Sequence, residues 1–239
     1  MRARGATAAV LLAVMLAACT PSHAESPPPS SPTASPGPSA TTDPTDPDVL
    51  RATGTPVVSG AVALTVAPPS TDVRADDDGS VHVTAPDEAL VVAPPGMTVT
   101  ALADGSAVVR DAGGVFVGGL VTEPRGAGLS QVGPEVLRLD PGSDLWFTTA
   151  VVLTAVWGEA EGGRSLAVTP SAWARAGSQA AQEGLWAQVV AQAPDADSPG
   201  MQAQLECHEL GAPDKATWNL EPWRPEVGLV EMITARCNP

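Results

Sequence analysis

The chain has no tyrosine, a single lysine at Lys215, three histidines and three cysteines in 239 residues. Alanine, glycine, proline, valine and arginine are preferred, which suggests a GC-rich genome, so the missing tyrosine and lysine carry no functional reading by themselves. Basic residues are scarce as a class: 12 Lys and Arg against 27 Asp and Glu, a formal net charge of -15. Nucleic acid and anionic lipid surfaces are both held by clustered Lys and Arg, so this balance argues against either as a partner. Catalytic signatures are missing too. There is no Gly-x-Ser-x-Gly elbow, no Ser-x-x-Lys, no phosphate-cradling glycine loop and no Gly-x-Gly-x-x-Gly in a βαβ unit. No cofactor is implied and no catalytic residue stands out.

The N-terminus reads as a secretory signal over residues 1–18. Arg2 and Arg4 form a basic start, and Ala6 to Ala18 is uncharged and almost wholly apolar. A membrane-spanning helix needs about 20 apolar residues, so this stretch is too short to be one. It ends in Leu16-Ala17-Ala18-Cys19, which resembles the lipobox of bacterial lipoproteins. On that reading Cys19 carries a diacylglycerol and becomes the new N-terminus. Ser22-His23-Ala24 offers an ordinary signal-peptidase site as the alternative. Two or more acyl chains exceed the marginal binding of one, so the expected location is the outer face of the cytoplasmic membrane. Residues 19–55 are then a Pro/Ser/Thr-rich tether. Pro27-Pro28-Pro29 and two Asp-Pro pairs favour extended chain that reaches on the order of 100 Å, into the cell wall.

With Cys19 spent on lipid, Cys207 and Cys237 remain in an exported, oxidising setting, and one disulfide between them is the natural inference. It would close a loop worth about 3.5 kcal/mol in the chain-entropy model and pin a terminus that would otherwise fray.

The fold class expected is α+β: a mostly antiparallel β region followed by a small helical, disulfide-closed C-terminal region. Residues 56–157 form the β-rich part. Short runs of Val, Ala, Leu and Thr alternate with turn signals such as Asp78-Gly79, Asp104-Gly105 and Gly113-Gly114. Asp104-Gly105 predicts a type I′ hairpin. Val57 to Val66 reads as one strand, and Asp144 to Trp157 as the longest. From residue 158 to 239 the period changes. Thr169-Pro170 predicts a capped short helix through Trp173, Ser178 a second helix ended by Pro194, and Ser198-Pro199 a third that carries Met201, Leu205 and His208 on one side. Val227 to Cys237 fits strand or helix equally.

Three clusters invite chemistry. Asp76-Asp77-Asp78-Gly79 fails the spacing of a calcium loop and reads as an acidic hairpin turn. His208 lies beside Glu206, Cys207 and Glu209 without the second histidine of a zinc motif, and reads as a hydrogen-bonded structural residue, so no metal site is expected. The densest segment is Trp218-Asn219-Leu220-Glu221-Pro222-Trp223-Arg224-Pro225. Trp218, Trp223 and Arg224 could present an aromatic platform to a sugar ring or grip a carboxylate. Alternatively, both indoles pack on the disulfide and on the helix of Trp186, with Arg224 stacked on one of them.

The stretch from about Gly163 to Pro239 resembles an actinobacterial family of exported proteins, domain of unknown function 2599. The residues that carry the likeness are Gly163-Arg164-Ser165-Leu166, Pro170 to Trp173, Pro199-Gly200-Met201, Gln204, Cys207-His208, Trp218 to Pro225 and Cys237-Asn238-Pro239. The resemblance supports the Cys207–Cys237 pairing and implies no catalytic residue. Three readings stay open: a wall-associated binding module whose partner is a cell-wall glycan or another envelope protein, a hydrolase that uses paired carboxylates, and a structural envelope component.

Overall fold

The structure is a computed structural model that describes residues 43–69, 72–85, 87–126 and 128–239. The signal segment, Cys19 and the tether as far as residue 42 lie outside the described residues. From there to Pro239 the chain is one compact unit.

It opens with a helix, α1 (Pro47–Thr53), in what the sequence reads as tether. Asp46 accepts hydrogen bonds from the amides of Asp48 and Val49, and Pro47 holds the first helical position. The second Asp-Pro pair is therefore a cap and a helix start, not an extended spacer. Leu50 is buried beside Ala67, Val92 and Val136, and Arg51 donates to the Ala93 carbonyl at 2.9 Å.

The strands β1 (Thr55–Ser59), β2 (Val62–Ala67), β3 (Asp72–Ala75), β4 (Val81–Ala85), β5 (Ala89–Val92), β6 (Thr98–Ala101), β7 (Ala107–Arg110), β8 (Phe116–Glu123), β9 (Leu129–Gly133), β10 (Val136–Leu139) and β11 (Ser143–Thr148) follow. They pair antiparallel into two sheets, β1-β2-β5-β10-β9 and β3-β4-β11-β8-β7-β6. Val57, Leu64, Val91 and Leu137 of the first sheet share one buried cluster with Val83, Val109, Leu120, Leu145 and Phe147 of the second, so the two sheets close a sandwich. The run from Val57 to Val66 is two strands, folded back at Gly60, whose φ of +53° suits glycine.

Three hairpins share one turn. In each, an amide-to-carbonyl bond closes the loop and a glycine follows in the left-handed region: Gly79 at φ +82°, Gly105 at +82° and Gly114 at +81°. Only the glycine has positive φ, so Asp104-Gly105 belongs to a type I turn with a glycine bulge and not to the expected type I′. Asp78 and Asp104 serve identically: one carboxylate oxygen accepts from the amide and the hydroxyl of the serine two residues on, at 3.0 and 2.6 Å in both cases. The triple aspartate is the acidic turn its spacing indicates.

The remainder comprises β12 (Val152–Ala160), β13 (Gly163–Pro170), α2 (Ala172–Arg175), α3 (Gln179–Gln192), a single 3-10 turn at Pro194–Ala196, α4 (Pro199–Gly211), β14 (Trp218–Leu220) and α5 (Leu229–Thr234). Strands β12-β13-β14 form a third sheet. The apolar run from Asp144 to Trp157 is thus broken between two sheets. Gln188 of α3 supports the break: its Oε1 accepts from the amides of Val151 and Val152, and its Nε2 donates to the Thr149 carbonyl. The change from the sandwich to the third sheet falls there, between Thr148 and Val152. Thr169-Pro170 does not start the short helix; it ends β13, and Ser171 caps α2. Ser178 and Ser198 cap α3 and α4 as their sequences indicate. The last apolar segment resolves as helix α5.

A second core joins the halves. Val108, Phe116 and Val121 of the sandwich meet Trp173, Leu185 and Val189 of α2 and α3, and these meet Leu166, Val168, Trp218 and Leu220 of the third sheet. Gly119 makes this contact possible, because a Cβ there would lie 2.3 Å from the Trp173 ring. The architecture is mostly antiparallel β with a few helices and a Cys207–Cys237 disulfide, and β outweighs the α share that the sequence suggests.

Candidate functional site

The motif from Trp218 to Pro225 is divided by burial. Trp218 is fully buried, with its indole N–H donating to the Ala212 carbonyl at 2.9 Å. It is a core residue, which removes it from any candidate binding surface. Nor do the two indoles pack on the disulfide. Trp218 belongs to the second core, whereas Cys207 and Cys237 cluster with Met232. Trp223 is 46% exposed and sits on the β12–β13 hairpin, where a Cβ on Gly163 would lie 2.4 Å from its indole nitrogen. That close approach requires glycine.

Arg224 lies under this indole, its guanidinium 4.6 Å from the ring centroid. It also donates to carboxylate oxygens of Glu221 and Glu161 and, at 3.2 Å, to the Pro239 carbonyl. Burial pulls its pKa down, but the hydrogen bonds and charges of the two glutamates outweigh that and leave it raised. Glu221 is itself buried, and its backbone exchanges two hydrogen bonds with the Gln204 amide. Glu161, exposed at the hairpin tip, has a left-handed φ of +52°.

Beside this knot is a pocket of about 340 Å³ lined by Glu161, Glu221, His208, Lys215, Asn219 and Asn238, among others. His208 is buried, and its Nε2 is 3.1 Å from the Asn219 carbonyl. A carbonyl only accepts, so Nε2 carries the hydrogen. Burial lowers the His208 pKa, the Asn219 bond opposes this in part, and the charges of Lys215 and Arg224 lower it further. The neutral ring therefore has its lone pair on Nδ1, which is buried with no hydrogen-bond partner among the described residues. No group of three His, Cys, Asp or Glu side chains suited to a metal occurs among the described residues.

The pocket assembles residues 161 to 238 from a hairpin tip, a helix, a strand and the C-terminal segment. Residues 152–239 match the family described as "Protein of unknown function (DUF2599)". Uncharacterized proteins of Mycobacterium tuberculosis and Mycobacterium bovis are each 45% identical to this chain over 93 residues, 36% of this chain and 61% of theirs. An uncharacterized protein of Mycobacterium leprae is 42% identical over 64 residues, 25% of this chain and 52% of its own. The chain therefore spans less than two thirds of these relatives. No solved structure matches it. The sandwich lies almost wholly outside the matched region, and the pocket lies wholly inside it.

Sequence reasoning names Trp223 and Arg224 but misses Glu161, Asn219 and Lys215. Glu161 precedes Gly162-Gly163, which marks a hairpin tip, yet nothing in the chain order says that this tip meets residue 224. The sequence reads His208 as structural; its bond to Asn219 and its burial agree, while its Nδ1, without a partner among the described residues, adds a feature the sequence does not reveal.

Proposed function

We propose that this chain is a cell-envelope binding module, held to the outer face of the cytoplasmic membrane through a lipid on Cys19, that binds a hydroxyl-rich wall glycan across Trp223 and the polar pocket beside it. The observation that carries this reading is the exposure of Trp223. Its neighbours Trp218, Glu221 and Arg224 are withdrawn from solvent, and this one large aromatic is left half open on a rigid base of Arg224 and Gly163. A fixed indole face suits the C–H face of a sugar ring. Glu161, Asn219, Asn238 and Lys215 supply acceptors and donors for hydroxyls at the pocket. A hydrolase needs two carboxylates opposed across room for a substrate. Glu161 and Glu221 are instead drawn to one shared cation, which favours binding over cleavage.

The test compares the full chain with Trp223→Ala on isolated cell wall. The indole is half exposed, so its loss should cost about 1 kcal/mol, or about 2–4 °C in melting temperature, while most wall binding disappears. Undiminished wall binding by Trp223→Ala refutes the glycan reading. Release of reducing sugar by the wild type but not by Glu221→Gln would favour the hydrolase.

A further inference from the structure

The apolar side chains left in solvent are not scattered evenly. Leu210 is 71% exposed, Leu229 67%, Val230 80% and Ile233 59%. All four lie on α4 and α5 around the disulfide. Leu210, Leu229 and Ile233, with Met232, Cys207 and Cys237, line a groove of about 990 Å³. Ligand cavities run to about 300–1,000 Å³, so this one is large enough for an extended chain. Its charged rim is Lys215, Arg236 and a single acid, Glu206. In a chain of net charge -15 it is thus a local reversal of sign, and it uses the only lysine.

The backbone contributes to that rim. Arg236 and Cys237 have φ of +54° and +69°, conformations that residues with a Cβ rarely adopt. Their amides donate to the carbonyls of Ile233 and Met232, at 3.0 and 2.9 Å. Strain of this kind persists where the surroundings over-determine it. Here it turns the chain off α5 so that Arg236 stays at the groove while Cys237 reaches Cys207.

We infer that this groove binds a free long-chain fatty acid, with the acyl chain along Leu210, Leu229 and Ile233 and the carboxylate at Lys215 and Arg236. Charge decides between the occupants. The acidic whole molecule is repelled by an anionic bilayer, whereas a single carboxylate meets only the two-to-one cationic rim. The inference is independent of the glycan reading, although Lys215 borders both cavities.

The full chain carrying Cys19→Ala, purified without detergent, is titrated with a dansyl-labelled undecanoic acid and competed with unlabelled fatty acids of increasing length. Saturable binding is expected, with competitors tightening about two- to fourfold per added methylene. Replacing both rim cations by Lys215→Gln and Arg236→Gln should weaken the acid about tenfold or more and leave the matching fatty alcohol unaffected. Both residues are exposed, so this pair keeps the test valid if Ile233→Asp, which should abolish binding of acid and alcohol alike, does not fold. Trp223→Ala should leave the titration unchanged. Absent or length-independent binding overturns the inference, as does full acid affinity in the double variant. Dimerisation that Ile233→Asp abolishes would assign the face to a second copy. Flotation with phosphatidylglycerol vesicles, without fatty-acid binding, would assign it to the membrane surface. Either result also overturns it.

Discussion

At Arg224, one guanidinium has four tasks: it supports an exposed indole, neutralises a buried carboxylate, pairs with the exposed Glu161 and holds the last residue of the chain. The second task dominates the energetics. Exposed ion pairs contribute about 0–1 kcal/mol, which covers the arm to Glu161, whereas removing one partner of a buried pair leaves a charge without compensation and costs about 3–5 kcal/mol. Glu221 has almost no exposed surface, so Arg224→Ala should destabilise the protein by about that larger amount, several times the effect of Trp223→Ala. Arg224→Lys should recover only part of it, because an ammonium cannot bridge Glu161, Glu221 and Pro239 at once. Thermal unfolding of the three variants side by side checks the order. A loss with Arg224→Ala no larger than with Trp223→Ala would show that Glu221 finds water or another partner.

Among the elements, α3 joins the outside of the sandwich to the third sheet through the second core, and small residues determine how close it comes. Ala180, Ala181 and Gly184 face inward with Leu185 and Val189. A Cβ on Gly184 would lie 2.6 Å from Phe116 and 2.8 Å from Val151. In an isolated helix Gly→Ala gains about 1 kcal/mol. Here the contact with β8 should reverse the sign: Gly184→Ala should lower the melting temperature while far-ultraviolet circular dichroism shows undiminished helix. A raised melting temperature would mean that α3 can shift outward freely. The start of α3 is tied to the sandwich as well. Asp104, in the β6–β7 turn, accepts from the Gln179 amide at 2.7 Å, and Ser106 accepts from that of Ala180 at 3.2 Å. Burial raises the Asp104 pKa, but the hydrogen bonds from Ser106 and Gln179 prevail and leave it lowered, as expected for a carboxylate at a helix start. The same Asp-Gly-Ser turn that accepts a hydrogen bond from the Ser59 hydroxyl at one hairpin thus docks a helix at another.

For the whole molecule, stability should depend on pH through Glu209. Burial, with the Glu206 charge adding to it, pushes its pKa up to about 7 from an ordinary 4.5. The folded state therefore binds this proton more tightly than the unfolded chain. The resulting stability is fully present below about pH 4.5 and is lost as pH rises toward 7. Glu209→Gln should accordingly melt higher than wild type at pH 8, with the difference shrinking as pH falls to 5. A constant difference across that range would show that Glu209 ionises freely in the fold.

The hydrophobic alternation, the glycine turns and the serine caps are local features, and they place most strands of the sandwich and both long helices from the sequence alone. Cysteine arithmetic supplies the disulfide for a similar reason: once one cysteine is set aside, two remain. Other features needed the third dimension. Whether Asp46-Pro47 extends the chain or caps a helix depends on Leu50 finding a buried seat against β2 and β5. The run from Asp144 to Trp157 is equally apolar on both sides of its break, and Gln188, some forty residues away, supports the reversal. The motif that names Trp218, Trp223 and Arg224 gives each the same weight in sequence. Only the packing of β14 against β13 sends Trp218 into the core, and the turn that follows the strand leaves Trp223 at the surface. Composition likewise counts 15 excess negative charges but cannot say that Lys215 and Arg236 meet at one apolar groove. Net charge is a sum over the chain, whereas a binding site depends on where its few opposing terms lie.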